Sequence, residues 1–490
     1  MFSSVQRPRL LVASWFVLGA LYFVYISLHN DFEDYIKIPY NVIFKPSSPS
    51  AKSNITAFVE NAHTLPDADA YLPHFNAVIL SPNVTLAEAK RGCTWEDSDG
   101  VNFMYSGDAE WVKQERNDTE LAVKRSEWQT FISTKLMPYS RYSERFSGRG
   151  IVIVAGNERT MKRVKVLLRA LQTVNCSLPV EIHFYGDEVP PQTQKDLIDL
   201  YPTMTVFFND LASRSNIIKT GFNAFVANFQ FKTAAVLNSR FAEVLLLDSD
   251  NIPAFDPEEL FVSNIYEEYG TIFWPDIART RPNNPIWSIT NTICKMDEYE
   301  QESGQLLVDK RRFFYHLQLA AWLNGENASY YNMFLLGDKD MFRFAWHALK
   351  TRYGRPTKWL TSVGTLTEGK YCGHTFAQHH PDPGDDRIVF LHGGLLKQIP
   401  NEVVKWQKEE RGGVYQAYKR SNVDEKWGEV QKCGMEWENG DYVPDERVDR
   451  ELPVWSCIEM FGVEPKPVYE VLGGFEGLFE GVGGYWMLDD

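Results

Sequence analysis

From Arg149 onward, short apolar runs alternate with longer segments in which apolar residues recur at helical spacing. Short apolar runs such as "GIVIVAGN" and "EVLLLDSD" have the length and composition of buried strands, and each ends in polar residues. Between them, segments such as "RTMKRVKVLLRALQTVN" and "NFQFKTAAVLNSRF" repeat apolar positions at helical spacing. Strands and helices that alternate with short turns predict an α/β fold with a Rossmann-like, mostly parallel sheet flanked by helices.

Polar residues at the ends of these predicted strands are the first candidates for function. Ligands of open parallel sheets bind beyond the carboxyl ends of the strands. Asn157 follows the first predicted strand, and Asp248 and Asp250 follow the apolar run from Val244 to Leu247. No GxGxxG motif follows the first strand, so a dinucleotide site is not expected.

Asp248 and Asp250 form a pair of carboxylates that would repel each other in a partly dry site. A divalent cation removes the repulsion, and Mg²⁺ or Mn²⁺ commonly binds carboxylates together with substrate phosphates. An EF-hand is excluded because Ile252 and Pro253 stand where an oxygen ligand and a glycine are required. A phosphatase motif of the DxDxT type is also excluded, because it requires Thr or Val two places beyond the second aspartate, where Ile252 stands. The remaining alternative is that Asp248 and Asp250 are solvent-exposed residues that only end the strand.

Residues 10–28 form an apolar segment without a charged residue. At about 1.5 Å per helical residue it spans roughly 28 Å, close to the thickness of a bilayer core. Arg7 and Arg9 precede the segment and acidic residues follow it, which predicts a cytosolic N-terminus and a luminal remainder. A cleaved signal peptide is the alternative, although no small-residue cleavage site is evident.

Composition supports a globular protein outside the cytosol. The chain has 490 residues and a formal net charge of -15, which argues against nucleic acid as a partner. Its 6 cysteines all follow the apolar segment and permit disulfides, with buried free thiols as the alternative. Candidate N-glycosylation sites are Asn54, Asn83, Asn117, Asn175 and Asn327.

These patterns divide the chain into six regions. They are a cytoplasmic tail (1–9), a transmembrane signal anchor (10–28), a luminal stem (29–70), a helical N-terminal region (71–147), a catalytic domain (148–411) and a C-terminal extension (412–490). The last region ends in "VLGGFEGLFEGVGGYWMLDD", which is apolar and glycine-rich without a clear period. No function is assigned to it.

Several segments in the catalytic region resemble one family. The segments "RGIVIVAGN", "EVLLLDSDNIPAFDPEELF", "GTIFWPD", "ESGQLLVDKRR", "LLGDKDMFRFAW" and "FLHGGLLK" occur in order from Arg149 to Lys397. Together they are similar to the fungal Golgi α-mannosyltransferases of glycosyltransferase family 71. The version with "LLLDSDNIP" and "GDKD" is most similar to the α-1,2 branch, and the α-1,3 branch is the next most similar.

The resemblance implies a type II Golgi membrane protein with a GT-A fold and a luminal catalytic domain. It implies transfer of mannose from GDP-mannose to a mannoside acceptor with retention of the α configuration, and dependence on Mn²⁺ or Mg²⁺. Related enzymes form complexes with other glycosyltransferases. A second hypothesis is therefore an inactive, membrane-anchored glycan-binding or scaffold subunit.

The resemblance also implies roles for individual residues. Asp248 and Asp250 match the metal-binding DxD motif, in which Asp250 coordinates the metal and Asp248 contacts the donor ribose or the metal. His392 matches a third metal ligand, or it is a structural histidine at a strand end. Gly394 and Lys397 match a His-Gly-Lys motif that contacts metal and diphosphate, with a spacing one residue tighter than usual.

Other residues of these segments are candidates with a structural alternative. Asp338 and Asp340 correspond to residues beside the reacting sugar, or they cap a helix. Glu302 and Gln305 are expected at a strand entrance, where polar side chains can contact sugar hydroxyls. The remaining donor-site candidates are Trp274, for stacking on a pyranose or for core packing, Asp276 beside it, and Lys232, for the donor phosphates or as a surface lysine.

Overall fold

The computed structural model describes most of the chain beyond residue 67. The described residues are 68, 71–79, 81–94, 109–223, 228–295, 297–367, 369–420, 427–436, 441–443 and 454–489, and side chains are described for all of these except 427–436, 441–443, 454 and 489. The predicted tail and anchor, and the stem apart from residue 68, lie outside this part. Within it, no helix has the length and apolar character needed to cross a membrane.

Fifteen strands are present in the described residues. They are β1 (Arg149–Val154), β2 (Val180–Phe184), β3 (Val206–Asp210), β4 (Glu243–Leu247), β5 (Asn251–Pro253), β6 (Thr271–Pro275), β7 (Gln301–Asp309), β8 (Thr361–Thr367), β9 (Lys370–His379), β10 (Ile388–His392), β11 (Ala417–Lys419), β12 (Trp427–Glu436), β13 (Asp441–Val443), β14 (Val454–Met460) and β15 (Lys466–Pro467).

The α-helices of the same part of the chain are numbered in order. They are α1 (Leu72–Ile79), α2 (Leu86–Lys90), α3 (Glu110–Lys113), α4 (Asp118–Thr134), α5 (Glu158–Thr173), α6 (Pro191–Leu200), α7 (Gln230–Asn238), α8 (Asn264–Tyr269), α9 (Ile286–Ile289), α10 (Lys310–Asn324), α11 (Ala328–Tyr331), α12 (Lys339–Ala348), α13 (Asn401–Glu410), α14 (Tyr469–Leu472) and α15 (Phe475–Gly481). Short 3-10 helices include Pro257–Val262, Leu396–Gln398 and Trp486–Asp489.

The first sheet contains the predicted alternation of strands and helices. Its strand order is β3-β2-β1-β4-β7-β6, and β1 to β4 run parallel to one another. The prediction of a mostly parallel α/β sheet is confirmed. Strand β7 is the exception because it runs antiparallel to both neighbours, which places its first residues beside the carboxyl end of β4.

A second, antiparallel sheet was not predicted. It runs β13-β12-β14-β9-β8-β11-β15, and β10 joins it by pairing with β9. On its other side β10 pairs with β5, the short strand that follows the two aspartates. The carboxyl end of β4 is therefore continuous in the chain with a strand of the second sheet.

Helix α5 shows how the first sheet is covered. The Asn157 side chain caps its start by accepting a hydrogen bond from the Thr160 amide. One stripe of the helix, including Val164 and Leu168, packs against the first sheet. A second stripe, Val166 and Ala170, packs against the C-terminal region, so α5 is buried on two sides.

Two disulfides connect distant parts of the chain. Cys93 is bonded to Cys294, and Cys372 on β9 is bonded to Cys457 on β14. Cys176 is a half-buried free thiol, and burial raises its pKa to about 12. The disulfides that the sequence permitted are therefore confirmed for four of the cysteines.

The predicted glycosylation sites differ in exposure. Asn83, Asn117 and Asn175 are exposed and Asn327 is half-buried, whereas Asn54 lies outside the described residues. Asn117 caps α4 through its side-chain oxygen, and the Asn327 amide donates to the Trp322 carbonyl.

Candidate functional site

Asp248 and Asp250 lie between β4 of the first sheet and β5, which pairs with β10 of the second sheet. The four residues from Val244 to Leu247 are fully buried, whereas 23% of the Asp248 side chain is exposed. The Asp248 amide donates to the Gly304 carbonyl on β7 at 2.9 Å, and its own carbonyl accepts from the Asn251 amide. The chain turns within these residues, so both carboxylates reach one side of the sheet.

His392 is brought to the aspartates by strand pairing. In the β5–β10 register His392 lies opposite Asn251, the residue after Asp250. Its Nε2 lies 3.3 Å from Asp250 Oδ1 and 3.7 Å from Asp248 Oδ2. One potential ligand atom from each of the three residues lies within 4.8 Å of the others, so these side chains can hold one metal ion.

The close approach of His392 depends on Gly304 of β7. A Cβ atom at that position would lie 2.6 Å from His392 Nδ1, which is closer than a side chain tolerates. The absence of a side chain at Gly304 leaves room for the imidazole ring.

Lysine side chains surround the carboxylates. Lys397, in the 3-10 helix after β10, lies 2.7 Å from Asp250 Oδ2. Lys232, on α7, lies 2.9 Å from Asp248 Oδ2 and 3.2 Å from Asp338 Oδ2. The tighter spacing of the histidine and lysine motif therefore still allows Lys397 to reach the site.

The charges of these groups favour a bound cation. Burial opposes ionisation of Asp250, but His392, Lys397 and Arg163 together hold its pKa well below its usual range. Burial also opposes a proton on His392, yet Glu302 and Asp250 raise its pKa to about 10. A divalent cation can take the place of that proton because two carboxylates and an imidazole suit Mn²⁺ or Mg²⁺.

Glu302 and Asp338 form a second layer of carboxylates behind the cluster. Glu302 lies 3.3 Å from His392 Nδ1 and accepts from the Gly304 amide at 2.6 Å. Burial raises its pKa, but His392 and that amide outweigh the effect and lower it to about 2. Asp338 is at the start of α12 but accepts no helix-capping bond; it accepts from Ser303 Oγ, and burial raises its pKa despite Lys232. The helix-cap alternative for Asp338 is therefore wrong.

Three predicted site residues are buried elsewhere. Trp274 is fully buried, donates to the His379 carbonyl and packs edge-on against Phe390, so neither face can stack on a sugar. Gln305 is also fully buried and accepts from Asn251 at 2.7 Å, which joins β7 to the turn after Asp250. The core-packing alternative for Trp274 is therefore confirmed and its stacking role is wrong. The prediction for Gln305 was wrong because the local pattern cannot tell a strand entrance from a strand interior.

Asp340 is likewise in the interior. Its carboxylate lies 2.8 Å from Arg343 Nε and also accepts from the Gln301 amide, and only 1% of the residue is exposed. The structure places Asp340 in a buried ion pair of α12 rather than beside Asp248.

The other predicted residues lie near the sheet edge with structural partners. Asn157 caps α5, Asp276 lies 2.6 Å from Lys339, and the Gly394 amide donates to the His392 carbonyl. None of these contacts assigns a substrate role.

Sequence reasoning missed Arg163 and Trp486. Arg163 lies on α5 with NH1 3.6 Å from Asp250 Oδ2, and Trp486 covers its guanidinium at 4.9 Å. Arg163 lies one helical turn before Val166 on the same stripe of α5, and a charged residue on an apolar stripe is a sequence signal that could have indicated a site. For Trp486 no local signal exists, because the glycine-rich C-terminal sequence has no period.

Comparison with known proteins finds similarity to one family. A family model described as "Mannosyltransferase putative" matches residues 148–298 and 287–380, which contain both aspartates. Residues 148–380 are thus similar to this mannosyltransferase family. This similarity supports the mannosyltransferase, and hence the glycosyltransferase, that the sequence motifs predicted.

Curated relatives agree with this family. The chain is 29% identical over 48% of its length to alpha-1,2-mannosyltransferase MNN21 of Candida albicans, and the match covers 43% of that protein. It is 24% identical to alpha-1,2-mannosyltransferase MNN2 of the same organism, over 57% of this chain and 55% of the relative. The matches thus cover about half the length of these relatives.

Solved structures of glycosyltransferases show a weaker likeness. The galactosyltransferase LgtC matches 40% of this chain and 69% of its own, with 13% identity and a TM-score of 0.30. Mouse xyloside xylosyltransferase 1 matches 40% of this chain and 81% of its own, with 14% identity and a TM-score of 0.28. Scores at this level do not establish a shared fold.

Proposed function

We propose that this glycosyltransferase transfers mannose from GDP-mannose to a mannoside acceptor with retention of configuration, in a reaction that depends on Mn²⁺ or Mg²⁺. The observation that carries the proposal is the convergence of Asp248, Asp250 and His392 from two sheets onto one point. The family match and the printed activity of the curated relatives favour mannose and an α-1,2 linkage. The arrangement of β1 to β4 around this point is compatible with a GT-A fold.

In this proposal Asp248, Asp250 and His392 hold the cation. When bound, the cation supplies Lewis-acid stabilisation of the departing diphosphate. Lys397 lies beside Asp250 with 32% of its side chain exposed, so its ammonium can stabilise leaving-group charge directly. Lys232 neutralises Asp248 and Asp338 from the other side and keeps both carboxylates in fixed positions.

Retention requires a group on the face of the sugar opposite the leaving group, or front-face attack by the acceptor within an ion pair. Asp338 is the candidate for the first role because Lys232 links it to Asp248. Glu302 holds His392 through an ion pair and is assigned a positioning role.

We also propose that the protein is a single-pass type II protein of the Golgi membrane, anchored through residues 10–28. The apolar segment and its flanking charges support the anchor. The two disulfides and the exposed sequons support an oxidising lumen for the catalytic domain. Its product would then be a glycoprotein glycan or a cell-wall mannan side chain, made alone or in a complex with other glycosyltransferases.

The test is nucleotide release by the full chain in the presence of GDP-mannose, a mannoside acceptor and Mn²⁺. We expect the Asp248→Ala/Asp250→Ala variant to lose on the order of 100-fold or more in rate, because the cation and its electrostatic stabilisation are lost together. A chelator should have the same effect on the wild type. The matched control is Asp196→Ala/Asp199→Ala on α6, which removes two exposed carboxylates away from the cluster.

Wild-type protein that releases GDP no faster than the double variant would contradict the proposal and favour a scaffold subunit. NMR of the product distinguishes the linkage. An α-1,3 product would retain the mannosyltransferase assignment but overturn the α-1,2 proposal.

A further inference from the structure

The C-terminal segment Phe475–Asp489 is held against the candidate site. It consists of α15 and the 3-10 helix Trp486–Asp489. The Arg169 side chain on α5 donates to the Val482 carbonyl at 2.7 Å, and Asn401 on α13 donates to the Met487 carbonyl at 2.9 Å. Apolar residues of the segment also pack into the core cluster that contains Val166 of α5. The segment is therefore attached to the helix that carries Arg163.

Trp486 lies over Arg163 at the edge of this segment. The indole is 4.9 Å from the guanidinium carbon, a distance typical of a cation–π contact. Only 8% of Arg163 is exposed, and its buried Nε has no hydrogen-bond partner among the described residues. The guanidinium is thus packed into one orientation but is not fully bonded.

Arg163 and Lys397 line the same cleft beside Asp250. The walls of this cleft also include Trp486 and Gly393. Arg163 NH1 is 3.6 Å from Asp250 Oδ2, too long for a good hydrogen bond, whereas Lys397 Nζ is at 2.7 Å. Both cations therefore converge on one carboxylate.

A metal ion on Asp250 would change this charge balance. The carboxylate would then be shared with a divalent cation, and two positively charged side chains would remain in a partly buried cleft. Buried charge without a partner is unfavourable, so the arrangement favours a second anion beside the metal. A diphosphate supplies such an anion, and arginine binds phosphate oxygens through two donors in a fixed geometry.

We propose that Arg163 joins Lys397 in binding the diphosphate of a nucleoside-diphosphate donor, and that Trp486 of the C-terminal segment positions Arg163 for this contact. The inference rests on the proposed function, because that function supplies the diphosphate. It adds Arg163 as a donor-binding residue and Trp486 as a positioning residue, and it gives the C-terminal segment a role.

Calorimetric titration of the full chain with GDP in saturating Mn²⁺ tests the proposal. We expect Arg163→Met to weaken GDP binding by about 10- to 100-fold, since a charge-assisted phosphate contact is lost. Trp486→Ala should weaken it by about 3- to 30-fold through loss of the cation–π contact, and Trp486→Phe should recover most of the affinity. The matched control is Trp406→Ala, which removes a half-buried indole 5.8 Å from Arg411 outside the cleft.

Two further titrations identify the group that is contacted. Inorganic pyrophosphate with Mn²⁺ should show the same fold losses as GDP, because the contact is to phosphate rather than to the base. Mn²⁺ alone, followed by electron paramagnetic resonance, should bind Arg163→Met at least as well as wild type, since a nearby positive charge is removed. Weaker binding of Mn²⁺ alone would show instead that Arg163 orients Asp250, and would overturn the proposal.

The outcomes separate this inference from the proposed function. Folded variants Arg163→Met and Trp486→Ala that bind GDP like the wild type overturn the inference even if mannose is transferred. A loss in Arg163→Met without a loss in Trp486→Ala overturns the role of the C-terminal segment. If the wild type binds Mn²⁺ and GDP with the expected variant losses but transfers no mannose, the proposed function fails and the inference stands. Arg163→Lys provides the comparison if Arg163→Met does not fold.

Discussion

Asp250 is the residue on which the candidate site converges. Its carboxylate lies within 4 Å of His392, Lys397 and Arg163, which come from three separate elements of the chain. Burial alone would favour a protonated aspartate, but these cations keep it charged. The side chain is therefore ionised and ready to accept a metal ion at neutral pH.

Gly304 provides a test of His392 as a ligand. In Gly304→Ala the new methyl group would lie within 3 Å of the imidazole and must displace it. We expect Mn²⁺ affinity to fall by about 10-fold or more, because one of three ligands moves away from the aspartates. Electron paramagnetic resonance titration with Mn²⁺ measures the change.

Gly221→Ala is the control for that substitution, since a Cβ atom there meets none of the described residues within 4 Å. Unchanged Mn²⁺ affinity in a folded Gly304→Ala protein would contradict the ligand assignment of His392.

The sequence predicts the location of residues that follow a strand better than the location of residues within a strand. Asp248 and Asp250 follow a recognisable buried strand, so their position at the sheet edge was predictable. Gln305 was misplaced, and the two alternatives for Trp274 could not be separated, because β6 and β7 are buried along nearly their whole length and leave no alternating pattern to read.

At the scale of elements, β5 and β10 create the site. Asp250 precedes β5, His392 ends β10, and the antiparallel register between these strands places them side by side. This pairing could not be predicted because well over a hundred residues separate the two strands and β5 is only three residues long. The first sheet was predictable because each of its units is a local strand and helix.

The Cys372–Cys457 disulfide should stabilise the second sheet. It ties β9, which pairs with β10, to β14 across 85 residues of sequence. We expect Cys372→Ser/Cys457→Ser to lower the free energy of unfolding by about 2–5 kcal/mol, because the unfolded chain gains conformational freedom. Urea denaturation of the purified proteins measures the difference.

Cys176→Ser is the control for the disulfide variant. This thiol is unpaired and half-buried, so its replacement should change stability by no more than about 0.5 kcal/mol. Equal stabilities of the wild type and the Cys372/Cys457 variant would contradict a stabilising disulfide.

Across the whole molecule, buried histidines connect stability to pH. His347, His374 and His379 are almost fully buried, and burial lowers the pKa of each to about 4. Glu298 partly offsets this effect at His347. Each imidazole is therefore neutral in the folded protein at pH 5 but mostly protonated in the unfolded chain, where the pKa is about 6.5.

Folding stability should consequently fall as pH decreases from 7 to 5. In this interval His347, His374 and His379 bind more protons in the unfolded state than in the folded state, so each lowers the free energy of unfolding as acidity increases, by on the order of 1–3 kcal/mol when complete near pH 4. His392, whose pKa is raised, contributes with the opposite sign. Urea denaturation at several pH values should show this slope. His374→Gln should reduce the slope, and an identical slope in that variant would contradict the assignment for His374.

The order of elements along the chain also has a consequence for biosynthesis. Every strand of the first sheet precedes Lys310, whereas His392, Lys397 and Trp486 are translated later. A nascent chain, synthesised from its N-terminus, can form the first sheet before these residues are made. Asp248 and Asp250 would then have Arg163 and Lys232 beside them but lack the imidazole of His392 and the ammonium of Lys397, so the chain acquires a complete site only when its final residues have emerged.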